Sequence, residues 1–370
     1  MPSIRILVVD DSVVIRRLLS HTLSGDPALE VVATASNGRI ALAKIPLLRP
    51  DLITLDVEMP VMNGLETLVA LRKLYPKLPV IMFSTLTEHG AAATLDALSL
   101  GASDYATKPS HTGCPAVAIE RIRTELIPKI KALCGLAPMK LLPLPGSRPA
   151  LKGRLRSNAR VEIVAIGTST GGPNALAEVL PRIPNDFPVP IVVVQHMPPI
   201  FTRLLAERLA SRSVIAVAEG SAGVVLSPGH AWIAPGNFHM KVIRAGVDWR
   251  LNLNQGPQEN SCRPAVDVLF RSVAAAYGAN VLGVVMTGMG SDGVLGAQDI
   301  RQAGGDIIIQ DEASSVVWGM PGLVHASGLD DAAYPLDQLA AEITRRVVQS
   351  RDSRAHSGLK SYDTLELPAK

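Results

Sequence analysis

The sequence predicts an α/β protein of two domains, and three of its features support that fold class. Short apolar runs alternate with amphipathic stretches through both halves of the chain, which is the pattern of strands and helices around a parallel sheet. The length of 370 residues is long for a single domain. A proline-rich stretch at about 136–158 separates the halves. We therefore expect a doubly wound five-stranded parallel sheet, followed by a second α/β domain with a mostly parallel sheet.

The first half contains five short apolar runs that are typical of strands. Amphipathic stretches such as SVVIRRLLSHTL, NGRIALAKIPLL and GLETLVALRKL lie between these runs and predict helices. The predicted strands are IRILVVD (4–10), LEVVATA (29–35), LITLD (52–56), PVIMFS (79–84) and SDYATKP (103–109).

Changes in composition give the expected domain boundaries. A first domain at 3–133 is followed by a linker at 134–158, in which APMKLLPLPGSRPALKGRLRSN carries four prolines and scattered basic residues. A new series of strands and helices then forms a second domain at 159–348. The polar tail at 349–370 is expected to fray.

Charge, cysteine content and hydropathy argue against several function classes. The net charge is +3 without a dense basic block interleaved with aromatic residues, so nucleic acid is not expected as a partner. Cys114, Cys134 and Cys262 form no CxxC pair, which favours free thiols in a reducing cytoplasm. No signal-peptide pattern precedes Asp10, and no apolar run approaches the roughly 18 residues of a membrane span. We expect a soluble cytoplasmic protein without direct membrane insertion.

Charged and hydroxyl side chains end several predicted strands of the first domain. Asp10 and Asp11 follow the first strand, Asp56 ends the third, Ser84 ends the fourth and Lys108 follows the fifth. These ends share one edge of a parallel sheet, and three carboxylates there suit Mg²⁺. One carboxylate could also act as a nucleophile toward a phosphoryl group, with the metal and the lysine neutralising charge. Alternatively, the aspartates cap helices and the lysine is a surface residue.

Three segments of the second half each end a buried apolar run with a reactive side chain. Because the carboxyl ends of parallel strands meet at one edge, we expect these side chains to converge. A serine, a histidine base and an orienting carboxylate are the parts of a hydrolase triad. The segments are GTSTGGP (167–173), VVVQHMP (192–198) and TGMGSDG (287–293), which carry Ser169, His196 and Asp292.

Each of these residues also has a structural alternative. Thr168, Ser169 and Thr170 would cap the following helix, or their glycine-rich turn would bind phosphate, although the turn lacks the dinucleotide glycine pattern and a Walker lysine. Asp292 would cap the helix that follows it. The order Ser…His…Asp differs from that of α/β-hydrolases, so membership of that fold is not expected despite the shared G-x-S-x-G turn. Three histidines compete for the role of base: His230, His239 and His325.

The first domain resembles a two-component receiver over its whole length, through LVVDDS, LDVEMPVMNGLETL, MFST and SDYATKP. That resemblance implies a flavodoxin-like fold with Asp56 as the phosphoacceptor. It also implies that Asp10, Asp11 and Asp56 hold Mg²⁺. The implied switch residues are the hydroxyl of Ser84, the phosphate-contacting Lys108 and the aromatic Tyr105.

The whole chain resembles the chemotaxis protein-glutamate methylesterases, which join a receiver to a hydrolase domain. The motifs that carry the resemblance are GTSTGG, QHMP, APGNFHM, SCRPAVDVLF, TGMGSDG and DEASSVVWGMP. It implies that Ser169, His196 and Asp292 are the catalytic triad, that the main-chain N–H of Met289 helps to form the oxyanion hole, and that the esterase uses no cofactor. The turn geometry adds the N–H of Thr170 as a second oxyanion donor.

This resemblance implies hydrolysis of glutamyl methyl esters on methyl-accepting chemoreceptors, with release of methanol, and deamidation of receptor glutamines. A chemotaxis histidine kinase would phosphorylate Asp56, and an unphosphorylated receiver would cover the esterase edge. A neutral His196 base implies that activity falls on acidification through roughly pH 6–7. One departure is Cys262 in NSCRPA (260–265), where the family usually has a histidine before Arg-Pro and a serine after it. That departure puts a secondary substrate-side contact in doubt.

Overall fold

The computed structural model describes residues 3–109, 115–136 and 159–357. Most of the predicted linker and the end of the predicted polar tail lie outside the described residues. Within them the chain divides into two compact units, and each is built on its own sheet. The predicted α/β fold class is confirmed.

The first unit contains the five predicted strands. They are β1 (Ile4–Val9), β2 (Leu29–Ala35), β3 (Leu52–Asp56), β4 (Val80–Ser84) and β5 (Asp104–Thr107). All neighbours pair in parallel, in the order β2-β1-β3-β4-β5. This is the flavodoxin-like order, and it places the ends of β1, β3, β4 and β5 along one edge. Every residue of β3 and β4 is buried, as expected for central strands covered on both faces.

Four helices of the first unit begin where a polar side chain accepts a hydrogen bond from the first turn. Ser12, Asn37, Asn63 and Thr87 each serve as such a cap, and Glu66 completes a capping box with Asn63. The helices are α1 (Val13–Ser24), α2 (Gly38–Leu48), α3 (Gly64–Leu74), α4 (Glu88–Ser99), α5 (Pro115–Arg121) and α6 (Ile127–Leu133), the last two joined by a π-helical turn at Ile122–Leu126.

The second unit contains a seven-stranded sheet and a separate hairpin. The strands are β6 (Ile163–Thr168), β7 (Ile191–Gln195), β8 (Ala216–Glu219), β9 (His230–Ile233), β10 (His239–Ala245), β11 (Asp248–Asn254), β12 (Val281–Val285), β13 (Asp306–Gln310) and β14 (Ala332–Tyr334). The sheet order is β14-β13-β12-β6-β7-β9-β8 with parallel pairing throughout, and β10 and β11 form the antiparallel hairpin. The three fully buried strands β12, β6 and β7 are neighbours at its centre.

Two of the remaining helices pack closely because a glycine faces their contact. A Cβ at Gly296 would lie 2.5 Å from Phe270 Cβ, so only glycine allows this approach. Phe270 is fully buried, which contributes about 1.5–3 kcal/mol to folding. The remaining helices are α7 (Gly172–Val179), α8 (Phe201–Ala210), α9 (Val266–Tyr277), α10 (Val294–Ala303), α11 (Met320–Ala326) and α12 (Leu336–Ser357). No helix among the described residues is long and apolar enough to cross a membrane.

Candidate active site and acidic site

The order of the second sheet brings three distant parts of the chain to neighbouring positions. β6 lies between β7 and β12, so the turns after these parallel strands share one edge. Ser169 follows β6, His196 follows β7, and Asp292 lies in the loop after β12. The fold thus places all three predicted residues on the edge where parallel sheets carry their functional groups.

Glycines on both sides of Ser169 shape the turn that carries it. Gly171 has φ of +78°, a conformation that favours glycine. A Cβ at Gly167 would lie 2.4 Å from Val266 Cγ1, so this strand end packs directly against α9. The N–H of Ser169 donates to Thr287 O at 3.0 Å and fastens the turn to the loop after β12. Ser169 itself is half-buried, which leaves its hydroxyl within reach of a substrate.

His196 and Asp292 are directly hydrogen-bonded. His196 Nε2 lies 2.7 Å from Asp292 Oδ2. Because a carboxylate only accepts, Nε2 carries the shared proton, and Nδ1 of the neutral ring is the nitrogen that can take another. The side chain of His196 is 12% exposed and that of Asp292 is 2% exposed. Within the described ranges Ser169 Oγ makes no hydrogen bond, and such contacts often tighten only when substrate binds.

Backbone donors hold the Asp292 carboxylate in place. Its Oδ2 also accepts from the N–H of Val266 at 2.6 Å, and its Oδ1 accepts from the N–H groups of Asp267 at 2.9 Å and Gly293 at 3.0 Å. Val266 and Asp267 open α9, whose own N-cap, Ala265, offers no side-chain cap. Asp292 therefore caps α9, and the positive end of that helix stabilises its charge. The alternative in which Asp292 caps α10, the helix that follows it, is therefore not what the structure shows. Asp292 caps α9 instead.

The contact changes the proton affinity of both partners. Burial lowers the pKa of His196, but the hydrogen bond and negative charge of Asp292, together with the nearby Cys262, outweigh burial and raise the pKa above its ordinary 6.5. Burial raises the pKa of Asp292, but His196 and the backbone donors outweigh it and hold that pKa below its ordinary 3.8. Because a base must be neutral to accept a proton, activity that depends on His196 should fall at a higher pH on acidification than the roughly pH 6–7 expected from the sequence.

The loop that contains Met289 runs beside Ser169. A Cβ at Gly288 would lie 2.9 Å from Ser169 Cβ, so the backbone before Met289 passes directly against the serine. The N–H of Gly288 donates to Val317 O at 3.1 Å, which fixes this part of the loop. Thr170 is 3% exposed and lies between Ser169 and the start of α7. Both predicted oxyanion residues are thus near the serine. Met289 follows Gly288, which approaches Ser169, and Thr170 is the next residue after Ser169.

The three competing histidines have other contacts. His239 Nε2 and His230 Nδ1 lie 2.9 Å and 3.0 Å from backbone carbonyls. His325 pairs at 3.2 Å with Asp330, and its side chain is 62% exposed. Of the four, His196 is the one that follows a central strand next to Ser169.

Cys262 lies closer to the His196–Asp292 pair than the sequence indicates. A ring nitrogen of His196, the sulfur of Cys262 and a carboxylate oxygen of Asp292 all lie within 4.8 Å of one another. The proximity of Cys262 also contributes to the raised pKa of His196. The departure from the family pattern therefore affects the surroundings of the histidine and not only a substrate contact.

Sequence reasoning missed two residues of this site, Asn260 and Asp267. Asn260 Nδ2 donates to Asp292 Oδ1 at 3.0 Å and to Asp267 Oδ2 at 2.9 Å. Asp267 is 1% exposed, which is unusual for an acidic residue in the first turn of a helix. The string SCRPAVDVLF contains this aspartate, but only the fold shows that it faces a second carboxylate.

The first unit carries an acidic site at the edge of its sheet. Lys108 Nζ lies 2.9 Å from Asp10 Oδ2 and 2.7 Å from Asp56 Oδ2. Carboxylate oxygens of Asp10, Asp11 and Asp56 lie within 4.8 Å of one another. Ser12 caps α1, so the alternative in which Asp10 or Asp11 caps that helix is wrong. The ends of three strands thus bring one lysine and three carboxylates together.

The predicted switch residues lie near this site on β4 and β5. Ser84 Oγ donates to Gly90 O at 3.0 Å, in the first turn of α4. A cavity of ≈ 150 Å³ is lined by Asp56, Ser84 and Lys108 among others. Tyr105 is 5% exposed, and Lys129 Nζ lies 4.8 Å from the centre of its ring. Ser84 therefore faces the acidic site, whereas Tyr105 packs against a lysine of α6.

The charges of the acidic site fit a divalent cation. Burial and the neighbouring Asp10 raise the pKa of Asp56 to about 6, although Lys108 opposes the shift. Asp10 Oδ2 lies 2.9 Å from Lys108 Nζ, so this one lysine serves two buried carboxylates. An oxygen-ligated cation would relieve the repulsion that remains between them. The donor set of Asp10, Asp11 and Asp56 therefore fits Mg²⁺.

Comparisons with known proteins match a different family model to each half of the chain. A family model described as CheB methylesterase matches residues 164–343, and one described as response regulator receiver domain matches residues 6–114. The protein-glutamate methylesterase/protein-glutamine glutaminase of Trichodesmium erythraeum is 54% identical over 94% of this chain and 100% of its own length. Its namesake from Nocardioides sp. is 50% identical over 98% of this chain and 100% of its own length. The crystal structure of the Thermotoga maritima CheB methylesterase catalytic domain is 40% identical, covers 50% of this chain and 99% of its own, and has a TM-score of 0.49.

We predict that Asp56→Asn stabilises the first unit in Mg²⁺-free buffer at pH 8. The pKa of Asp56 is about 6 in the folded state against 3.8 for the free group, so the folded chain binds more protons between these values. The contribution of this carboxyl to stability therefore decreases as pH rises through that window and is least at pH 8. Removing the charge should raise the free energy of unfolding by about 1 kcal/mol after the loss of the Lys108 contact, and Tm by roughly 3–4 °C.

Thermal unfolding followed by circular dichroism checks this, with Glu120→Gln as an exposed carboxylate control. Addition of Mg²⁺ should raise Tm of the unmodified protein more than that of Asp56→Asn. A lower Tm for Asp56→Asn at pH 8 would contradict the repulsion argument.

Proposed function

Because the chain belongs to the protein-glutamate methylesterase/protein-glutamine glutaminase family, we propose that Ser169, His196 and Asp292 form its catalytic triad. The substrates are glutamyl methyl esters and glutamine side-chain amides of methyl-accepting chemoreceptors. The observation that carries the proposal is the 2.7 Å bond between His196 and buried Asp292, at the strand ends beside Ser169. A serine, a base and a carboxylate that orients the base are what acyl transfer requires.

The bond to Asp292 keeps the proton of the neutral His196 ring on Nε2, and the proposed reaction uses the free Nδ1. Ser169 Oγ attacks the glutamyl carbonyl carbon while His196 Nδ1 takes the hydroxyl proton, and Asp292 stabilises the imidazolium through Nε2. The tetrahedral intermediate collapses as His196 protonates the leaving methanol or ammonia. Water, deprotonated by His196, then releases the glutamate side chain from the acyl-enzyme. The same steps serve esters and amides because both substrates are acyl groups on one side chain, and no cofactor takes part.

Two backbone N–H groups are proposed to bind the oxyanion, those of Met289 and Thr170. The close approach of Gly288 to Ser169 supports the first, because it brings the Met289 loop against the nucleophile. The position of Thr170 directly after Ser169, at the start of the turn into α7, supports the second. Donors fixed in this way stabilise charge that develops only in the transition state.

In the receiver we propose that Asp56 accepts a phosphoryl group from a chemotaxis histidine kinase. Its carboxylate is held beside Lys108 at 2.7 Å, which leaves a cation available for the incoming phosphoryl oxygens. Mg²⁺ held by Asp10, Asp11 and Asp56 would neutralise the charge that develops during transfer.

The proposed switch starts at the Ser84 hydroxyl. It donates to Gly90 O, and it would exchange this acceptor for a phosphoryl oxygen on Asp56. Tyr105 is proposed to follow as the aromatic switch residue. Shifting a two-state equilibrium from 1:99 to 99:1 needs about 5.5 kcal/mol. One to three charge-assisted hydrogen bonds of about 1.5–3 kcal/mol each reach that scale, so phosphorylation can activate the esterase.

The proposed domain boundaries are a receiver at 3–133, a linker at 134–158, an esterase domain at 159–348 and a tail at 349–370. The end of α6 at Leu133 supports the first boundary. The last boundary falls inside α12, which continues past 348 to Ser357. We place the protein in the cytoplasm, with the receptors and the kinase as partners and without nucleic acid or direct membrane insertion. The charge balance and the substrate class support this placement.

We predict that Ser169→Ala lowers methanol release from methyl-esterified receptor membranes by about 10⁶-fold, because the members of such a unit act together. Gas chromatography of released methanol measures the effect. Ser291→Ala is the matched control, since Ser291 is half-buried in the Asp292 loop and has no assigned role. More than a tenth of normal turnover in Ser169→Ala would remove Ser169 from the role of nucleophile.

We predict that a small-molecule phosphodonor with Mg²⁺ raises methanol release by the full-length protein and leaves Asp56→Asn unchanged. The reason is that the activating hydrogen bonds form only to a phosphoryl group on Asp56. Release is compared with and without phosphodonor in both proteins, and Ser169→Ala supplies the background. Equal stimulation of Asp56→Asn would contradict the proposed phosphorylation site.

A further inference from the structure

Helices α9 and α10 are capped reciprocally by two aspartates. Asp292, which precedes α10, accepts from the N–H groups that open α9. Asp267, in the first turn of α9, accepts at Oδ1 from the N–H groups of Gly293 at 2.9 Å and Gly296 at 2.7 Å, which open α10. Each helix thus supplies the acid that stabilises the start of the other. The close packing at Gly296 keeps the two carboxylates together.

One side-chain amide joins these carboxylates. Asn260 Nδ2 donates both of its protons, one to Asp267 Oδ2 at 2.9 Å and one to Asp292 Oδ1 at 3.0 Å. The single N–H of Gly293 is bifurcated between the same two acids, with Asp267 Oδ1 at 2.9 Å and Asp292 Oδ1 at 3.0 Å. Asn260 is exposed as a residue and has φ of 52°, a left-handed conformation that asparagine and aspartate adopt most readily after glycine. Its amide therefore reaches inward from an exposed loop.

The two acids are like charges in a buried setting. Asp267 and Asp292 are 1% and 2% exposed. Burial and the Asp292 charge raise the pKa of Asp267 to about 6, while backbone donors and the Asn260 amide oppose the shift. Near neutral pH both carboxylates are therefore ionised, and the Asn260 amide lies between them and reduces their repulsion.

Other charged groups around the pair are few and mostly exposed. His196 faces Asp292 from the end of β7, and Cys262 faces His196 from the loop that carries Asn260. On the outer side Arg271 of α9 pairs with Glu259 of the same loop at 3.0 Å and with Asp299 of α10 at 3.6 Å. A change of charge at 260 or 267 is therefore felt first by Asp292 and His196.

We propose that Asn260 and Asp267 are positioning residues of the esterase, which together set the orientation of Asp292 and the proton affinity of His196. The proposal rests on the proposed roles of His196 and Asp292. Neither residue contacts the reacting atoms: Asn260 acts through its two hydrogen bonds, and Asp267 acts through its charge and through the shared N–H of Gly293.

The test is the pKa of His196, measured by NMR titration of the imidazole in the full-length protein, in two isosteric variants. Asn260→Asp replaces the bridging donor with a third negative charge, so the imidazolium is stabilised and the pKa of His196 should rise by about 0.5–1 unit. Asp267→Asn removes a negative charge, so that pKa should fall. The resonance is identified by its loss in His196→Gln. Because this readout needs no turnover, it separates the positioning proposal from the proposed activity.

Activity gives the second readout. Both variants should lose roughly 10- to 100-fold in kcat/KM for methanol release, because a hydrogen bond to the orienting carboxylate is lost or displaced. The pH below which kcat/KM falls should be higher for Asn260→Asp and lower for Asp267→Asn than for the unmodified protein. Ser261→Asp is the matched control: it adds the same charge at the next exposed left-handed position, where Ser261 makes no hydrogen bond within the described residues. It should raise the pKa of His196 by less than Asn260→Asp does, because the added charge stays in solvent and contacts neither carboxylate.

A purely structural role predicts a different pattern. Loss of activity in both variants with an unchanged pKa of His196, or shifts of the same sign, would overturn the proposal. Asp267→Asn keeps an oxygen for the N–H groups of α10 but turns a second NH2 toward Asn260 Nδ2, so its circular dichroism spectrum is recorded first. Because aspartate also adopts the left-handed conformation of position 260, Asn260→Asp decides the question alone if Asp267→Asn does not fold.

Discussion

The bond between His196 and Asp292 is the interaction on which the proposed esterase site depends. At 2.7 Å it fixes which imidazole nitrogen carries the proton, and so which one is available to Ser169. The bond is possible because the first turn of α9 gives the buried carboxylate two N–H donors. The order β12-β6-β7 then brings both partners to the strand end that carries the serine. If α9 began elsewhere, Asp292 would lose two backbone donors, and its buried charge would be less well compensated.

Both units contain buried carboxylates, and the groups that compensate their charge differ between the two units. Each collects carboxylates at the edge of a parallel sheet, where burial opposes their charge. In the first unit Lys108 lies between Asp10 and Asp56, and the remaining repulsion suits a site that takes up a cation and a phosphoryl group. In the second unit helix N-termini and one asparagine amide hold the carboxylates, which suits a site that must keep one geometry through a proton transfer.

Most of the fold and the principal residues could be predicted from the sequence, because they follow from local rules. Apolar runs predict β1 to β5, and reactive residues at strand ends predict Ser169, His196 and Asp292. The contacts of Asp292 could not be predicted, since they depend on how α9 meets α10, a packing set by Gly296 and Phe270. For the same reason Asn260 and Asp267 were missed, and Cys262 was expected at a substrate contact and not beside His196.

The central claim is that Asp292 activates Ser169 through His196. The most direct test is the rate at which a fluorophosphonate labels the full-length protein, with the site mapped by mass spectrometry. The account predicts a single adduct on Ser169, and labelling slower by a factor of about 10³–10⁴ in Asp292→Asn, because the wrong tautomer then faces the serine. An adduct on another residue, or equal rates for the two proteins, would contradict the account.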